Sequence, residues 1–237
     1  MSDKVIIAGI DLAWGERRPD GICLLESTAQ CSRVRWIGLS HGDAALLALL
    51  DEHIGKQPGL LMFDAPLICP NLTGARPVDR LTHTLFHREK CGCHPTNATR
   101  CPRPLRLAEA IKQRGYVIDW ALSAPQVAAE VYPHPAMVRW FEIPERIPYK
   151  RGPVAARRIA FAQLQSLLRQ CLAQRFPQFQ MDGQTAALLE ARWTKDIEDQ
   201  TDSLVCALIG DWHWRHGGER TQVLGDRETG FFLIPQI

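Results

Sequence analysis

Three short apolar runs in this chain each lead into an acidic residue. Asp11 follows VIIAGI, Asp64 follows GLLMF, and Glu130 closes QVAAE. Continuous apolar runs of this kind are typical of strands covered on both faces of a sheet. An ionised carboxylate is costly to remove from water, and several together disfavour each other's charge unless a cation lies among them. If these strands lie side by side, their ends form an acidic cluster that requires a divalent metal ion.

A fourth acid, Asp202, lies in DQTDSLVCALIGDW, which predicts a helix over 199–214. Asp199, three residues earlier, shares a face of this helix with Asp202. Other interpretations stay open for these acids. Asp64 can hydrogen-bond the turn that follows it, and Glu130 can form a salt bridge to nearby arginines. Asp202 can be an acid stabilised by the helix dipole, and Asp199 can be the N-cap.

The order of the remaining elements predicts an α/β fold with a mixed sheet. Strands are expected at 4–12, 21–25, 34–39, 59–63 and 126–132, and a terminal hairpin at 223–224 and 231–234. Helices are expected at 44–54, at 136–141, at 184–193 and after Pro153, since proline suits the start of a helix. The helix after Pro153 has a predicted buried stripe of Ile159, Leu164, Leu167, Leu168, Cys171 and Leu172.

The length of 237 residues fits one large domain or two small ones. We expect a single domain over 1–237. Residues 67–126 are less regular and rich in Pro, Arg and Cys, with two expected helices near 78–88 and 104–114. We interpret this segment as an insertion within the domain, of the kind that determines substrate choice on a fixed scaffold.

Composition indicates an ordinary globular chain, with 46% hydrophobic and 23% charged residues. No apolar stretch approaches the roughly 20 residues that span a bilayer. The first residues, MSDKVIIAGID, lead directly into a candidate active-site strand, so we expect no signal peptide and a cytoplasmic location. The chain's oligomeric state has no sequence signal.

The net charge of +2 hides two locally basic stretches. Residues 146–158 hold five basic residues and no acid, and residues 76–106 hold seven basic residues against two acids. Such stretches can hold phosphates, or they can be ordinary solvated surface. Tyr149, Lys150 and Arg151 lie in a loop before a predicted helix start, which is a natural phosphate site. His134 is either a hydrogen-bond donor or proton carrier beside the acids, or a structural histidine.

A structural zinc ion is one interpretation of Cys91, Cys93, His94 and Cys101, with His87 as a further ligand, because Cys and His bind zinc. The spacing is not that of a C-x₂-C pair, and no second half-site follows. The sequence therefore favours a reduced, partly buried loop. The eight cysteines of a cytosolic chain are expected to be reduced small apolar side chains.

Five motifs in order resemble the predicted RNase H-like nuclease family, also called domain-of-unknown-function family 429. They are GIDLAWG at 9–15, DAPL at 64–67, EVYPHPA at 130–136, RIPYKRG at 146–152 and DSLVCAL at 202–208. The similarity extends from Asp11 to Pro235. It implies an RNase H-like fold, in which a mixed five-stranded sheet is flanked by helices and a helical insertion follows the fourth strand.

The resemblance also implies roles for the acids. Asp11 matches the acid on the first strand, Asp64 the acid ending the fourth strand, and Asp202 the acid on the last helix, with Asp199 as a paired acid there. Glu130 is a weaker match, which leaves open whether it binds metal or orients Lys150 or Arg151. The implied catalytic residues are Asp11, Asp64, Glu130 and Asp202, the implied metal ligands are Asp11, Asp64, Asp202 and Asp199, and the implied substrate contacts are Tyr149, Lys150, Arg151 and His134.

Together these features predict a nuclease that uses Mg²⁺ or Mn²⁺. Two ions about 3.5–4 Å apart would assist phosphodiester hydrolysis on a nucleic acid or nucleotide. The first alternative is a nucleic-acid or nucleotide binding module without catalysis. A second alternative, an ATP-using phosphotransferase, is disfavoured because the chain has one GID-like motif and no G-x-x-x-x-G-K-[ST] phosphate loop.

Overall fold

The computed structural model describes residues 4–237. Over this range, seven strands form a central sheet and two form a separate hairpin. The sheet strands are β1 (Lys4–Asp11), β2 (Asp20–Thr28), β3 (Ser32–Ser40), β4 (Gly59–Phe63), β5 (Val117–Ile118), β6 (Gln126–Glu130) and β7 (Phe179–Gln180). The hairpin consists of β8 (Thr221–Asp226) and β9 (Gly230–Pro235).

The order of strands across the sheet is β5-β6-β4-β1-β2-β3-β7. β2 runs antiparallel to both β1 and β3, and the other neighbouring pairs are parallel. This confirms an α/β fold with a mixed sheet. The expected count of five strands was wrong, because β5 and β7 add one short strand at each edge. Strands of two residues are too short for any periodicity to be read from sequence.

Residues 4–237 contain seven helices: α1 (Gly42–His53), α2 (Pro77–Leu85), α3 (Pro102–Gln113), α4 (Pro133–Phe141), α5 (Val154–Arg175), α6 (Gly183–Leu188) and α7 (Lys195–Arg215). α1 and α3 cover one face of the sheet, where Leu50 and Leu107 lie in the core. α4, α5 and α7 cover the other face, with Leu164 and Leu208 in the core.

The segment 67–126 divides between two places. α2 packs on the β8–β9 hairpin, and Val78 shares a small core cluster with Phe232. α3 instead packs on the sheet, where Ile111 joins the core beside Ala128. Among the described residues, no helix is both long enough and apolar enough to cross a bilayer.

Three sequence expectations about helices were wrong in detail. α7 begins at Lys195, four residues before the expected start, because Thr194 is its N-cap and accepts a hydrogen bond from the Ile197 N–H. Asp199 is therefore not the N-cap of this helix. In α5, Ile159 is 75% exposed and lies outside the buried stripe. α6 ends at Leu188 rather than near residue 193.

α7 lies unusually close to the first two strands. A methyl group at Gly9 would overlap the α7 backbone at Ser203 and Ala207, and one at Gly21 would overlap the carbonyl of Asp199. The glycine in the GID motif is therefore needed for close packing of a helix against a strand. This packing brings the acids of α7 over the carboxyl end of β1.

Candidate metal site

The three strands that carry acids are neighbours in the sheet, which is the condition on which the acidic cluster depended. β4 lies between β1 and β6, and all three are parallel, so their carboxyl ends share one edge. Ile10 pairs with Phe63, and the Asp64 N–H donates to the Ile10 carbonyl at 2.9 Å. Asp11 and Asp64 follow this pair, and alternation along a strand turns both toward the face covered by α7.

α7 completes a cluster of carboxylates at this edge. One oxygen from each of Asp11, Asp199 and Asp202 lies within 4.8 Å of the others. Among residues 4–237, no other group of three or more Asp, Glu, His or Cys side chains meets this spacing. Carboxylate oxygens are common ligands of metal ions, so these three side chains could hold one. Asp64 faces the same cluster but lies outside this group of three.

Two lysines and a tyrosine hold the acids of α7. Lys150 Nζ lies 2.8 Å from Asp202 Oδ2, and the Tyr149 hydroxyl donates to Asp202 Oδ1 at 2.7 Å. Apart from this ion pair, the buried Oδ2 atom of Asp202 has no partner. Lys195 Nζ lies 2.6 Å from Asp199 Oδ1. Tyr149 is fully buried, so it holds the Asp202 carboxylate from the protein interior.

Burial disfavours the ionised form of each acid in the cluster. It raises the pKa of Asp11 and of Asp202 to about 6, although the Lys150 ammonium lowers both. Burial also raises the pKa of Asp64 to about 8, and repulsion from Asp11 adds to the increase against the opposing effect of Lys150. Burial, more than repulsion between the acids, therefore favours their protonated forms, and a cation bound at this edge would favour the ionised carboxylates.

Glu130 has a different environment from the other strand acids. Its two oxygens accept hydrogen bonds from the Arg76 guanidinium at 2.7 and 2.8 Å. Arg76 also pairs with Asp79 at 2.9 Å, and both side chains are fully buried. Burial raises the pKa of Glu130 to about 7 while Arg76 opposes the increase. The alternative of a salt bridge to an arginine is therefore realised, with Arg76 as the partner.

The two remaining predicted substrate contacts, His134 and Arg151, have different surroundings. The His134 ring lies 6.0 Å from that of Tyr149, and its buried Nδ1 has no hydrogen-bond partner. Burial keeps the pKa of His134 well below its ordinary value, and nearby Lys150 adds to this decrease, so the ring is neutral. Arg151 is exposed to solvent.

Two cavities adjoin the cluster, and Asp11, Trp14 and Lys150 border both of them. The larger cavity, of about 620 Å³, lies under the loop 12–19 and reaches Asp199. The smaller cavity, of about 270 Å³, has a basic and aromatic wall. That wall includes Arg76, His94, Tyr132, His134, Arg146 and Phe232.

The cysteine loop, residues 91–101, lies against α2 beside the smaller cavity. Cys93 Sγ contacts the Thr82 hydroxyl at 3.3 Å, while the Cys91 thiol donates to the Glu89 carbonyl at 3.3 Å. Cys101 is buried at the start of α3. All eight cysteines are free thiols. The Cys91 and Cys93 sulfurs therefore have separate protein partners.

Sequence reasoning missed two charged residues of this region. Lys195 lies four residues before Asp199, so recognising Thr194 as the N-cap would have placed it on the same helix face. Arg76 had no such signal, because it lies 54 residues before Glu130. Only the tertiary fold brings the two together.

The fold and the site define an α/β protein with a carboxylate cluster at one edge of a mixed sheet, where a metal ion could bind. The chain belongs to the family described as a protein of unknown function, DUF429, whose model matches residues 9–229. This confirms the family that the five sequence motifs indicated. No curated protein and no solved structure gives a significant match to the chain.

Proposed function

We propose that this protein is a metal-dependent nuclease of RNase H-like fold, which hydrolyses phosphodiester bonds at the acidic cluster. The observation that carries the proposal is the convergence of Asp11, Asp199 and Asp202 within 4.8 Å. The strand order also supports it, since an antiparallel β1–β3 unit followed by parallel β4 and β6 is the arrangement expected of that fold.

The residues of the cluster would hold Mg²⁺ or Mn²⁺ through Asp11, Asp199 and Asp202. Held by these residues, a divalent ion would supply polarisation of a phosphoryl oxygen and activation of a water molecule. Tyr149 fixes the carboxylate of Asp202 by its hydrogen bond of 2.7 Å. Lys150 and Arg146 border the smaller cavity and would supply positive charge for a phosphate.

The substrate class we propose is a nucleic acid or nucleotide. Trp14 borders the smaller cavity with Arg146 and Lys150 and is exposed, whereas Tyr132 and Phe232 in the same wall are buried and stack on each other. An exposed aromatic face can stack on a base, and basic side chains bind phosphates, so Trp14 with Arg146 and Lys150 suits a nucleotide unit next to the metal site.

A cleavage panel tests the proposal. Single-stranded and duplex DNA and RNA, an RNA–DNA hybrid, a four-way junction and dinucleotides are incubated with the protein and Mn²⁺. We expect hydrolysis of at least one substrate, and a loss of at least 100-fold in Asp11→Asn and in Asp202→Asn, because each removes a charged ligand. Asp196→Asn is the matched control, since Asp196 is an exposed acid on the same helix. Equal rates in Asp11→Asn and wild type would reject the proposal.

A binding module without catalysis is the second candidate. The observation that favours it is the direct Lys150–Asp202 ion pair, which already neutralises one acid of the cluster. This candidate predicts that Lys150→Gln with Arg151→Gln lowers nucleic-acid affinity and its dependence on salt, while Asp11→Asn does not. A binding titration at several salt concentrations distinguishes the two candidate functions. For the nuclease, nucleic-acid affinity should fall both in Lys150→Gln with Arg151→Gln and in Asp11→Asn.

A further inference from the structure

Lys150 lies within the acidic cluster and not at its rim. Its Nζ is 2.8 Å from Asp202 Oδ2, and 32% of its side chain is open to solvent. Lys150 borders both cavities together with Asp11, and Asp64 also borders the smaller one. The Lys150 ammonium lowers the pKa of Asp11, Asp64 and Asp202, which come from two strands and a helix.

Asp64 does not belong to the group of three acids that could hold a metal ion. It faces Asp11 from the neighbouring strand, yet its oxygens do not converge with those of Asp199 and Asp202. A second divalent ion would need Asp64 as a ligand together with an oxygen of Asp11 or Asp202, and Asp202 Oδ2 is paired with the Lys150 ammonium. Glu130 is not free for this role, because Arg76 binds both of its oxygens at 2.7 and 2.8 Å.

On this basis, and resting on the proposed nuclease function, we propose that Lys150 takes the place of a second divalent ion. The cluster then binds one metal ion, held by Asp11, Asp199 and Asp202, while the Lys150 ammonium is the second positive charge, facing Asp64. A phosphate group of the substrate would lie between the metal ion and Lys150.

The chemistry of lysine suits this position. An ammonium group is a compact point charge with three donors, and it needs no set of converging oxygen ligands. It can pair with Asp202 in the free protein and donate to a phosphate oxygen when substrate enters the adjoining cavity. Asp64 on the neighbouring strand would keep the ammonium directed into the cavity.

Calorimetric titration with Mn²⁺ alone, on the full chain, tests the stoichiometry. We expect one ion per wild-type chain. In Lys150→Gln the loss of a like charge should tighten binding of the first ion by about tenfold or more and admit a second ion. Lys150→Arg keeps the charge and should bind one ion. Lys56→Gln, the same substitution at an exposed lysine, should bind one ion with unchanged affinity.

Electron paramagnetic resonance of the Mn²⁺-loaded protein is a second readout. Two ions at about 3.5–4 Å would be spin-coupled, whereas a single ion gives an uncoupled six-line spectrum. The uncoupled spectrum is expected for the wild type and a coupled one for Lys150→Gln, whose fold is checked by circular dichroism. The wild-type result alone tests the inference if that variant does not fold.

Two ions bound to the wild type, or one ion in Lys150→Gln with unchanged affinity, would overturn the inference while leaving the proposed nuclease intact. The absence of any Mn²⁺ binding to the wild type would remove the proposed function itself and the inference with it. The two failures are therefore distinguishable in one titration.

Discussion

At the scale of single residues, Asp64 and Glu130 show how strand register decides the role of an acid. Phe63 pairs with Glu130 across the parallel strands, so Glu130 is level with the residue before Asp64. Side chains alternate along a strand, and Glu130 therefore faces away from Asp64 and toward Arg76. The sequence places both acids at strand ends, but it does not contain the register, and a shift of one residue exchanges the faces.

The buried Arg76–Glu130 pair is predicted to support the fold more than the metal site. Arg76→Ala leaves Glu130 and Asp79 without their partner, and removing one member of a buried ion pair costs about 3–5 kcal/mol. Urea unfolding measures this loss. Arg80→Ala, a substitution of an exposed arginine on the same helix, should cost less than about 1 kcal/mol. Unchanged stability combined with loss of Mn²⁺ binding would contradict this role.

The stability of the metal-free protein should fall as pH rises. The pKa of Asp11 and of Asp202 is raised to about 6 and that of Asp64 to about 8, mainly by burial. These groups bind more protons in the folded than in the unfolded state, so their stabilising contribution is present in acid and is lost between about pH 4 and pH 8. In a chelator, Asp64→Asn should flatten this slope and stabilise the protein at pH 8. A wild-type slope in Asp64→Asn would exclude Asp64 as its source, and Asp196→Asn is the control.

At the scale of elements, α7 is the helix that builds the site, and it was only partly predictable. Its apolar spacing located the helix, and Leu204, Leu208 and Trp212 on it are buried. Its first turn was missed because Thr194 as N-cap gives a weaker signal than apolar periodicity. The contact of α7 with Gly9 could not be read from the sequence either, since a glycine in a strand has several explanations.

Gly9→Ala should push α7 away from β1. The added methyl group meets backbone atoms of Ser203 and Ala207, which cannot rotate aside, and overpacking of this kind costs about 1–3 kcal/mol. Because α7 carries Asp199 and Asp202, Mn²⁺ affinity should fall as well. Thermal unfolding and calorimetry measure the two effects. Gly183→Ala, where a methyl group meets nothing within 4 Å, should change neither.

At the scale of the whole molecule, the order of elements was predictable, and the arrangement of the surface around the site was not. Apolar runs at β1, β4 and β6 indicated strands that lead into acids, and these three strands are neighbours in the sheet. The cavities depend on α2, the cysteine loop and the β8–β9 hairpin, which meet only through long-range packing. Polar, proline-rich segments carry no periodicity from which such packing could be derived.

Metal binding should stabilise the whole chain, because the ligands come from β1 and α7 and the ion would tie the two together. At a Mn²⁺ concentration 100 times the dissociation constant, the gain is about 2.7 kcal/mol. Thermal unfolding followed by circular dichroism should show a higher midpoint with Mn²⁺, and Asp11→Asn should lose this increase. An increase that persists in Asp11→Asn would place the ion elsewhere.

Because the site is assembled from β1 and α7, it can form only after both elements have been synthesised. On a growing chain, Asp199 and Asp202 emerge from the ribosome 188 and 191 residues after Asp11. A nascent chain thus carries the sheet edge without the ligands that complete it. Hydrolysis by the proposed nuclease would begin only when synthesis has passed α7, and this order would keep unfinished copies of such an enzyme inactive.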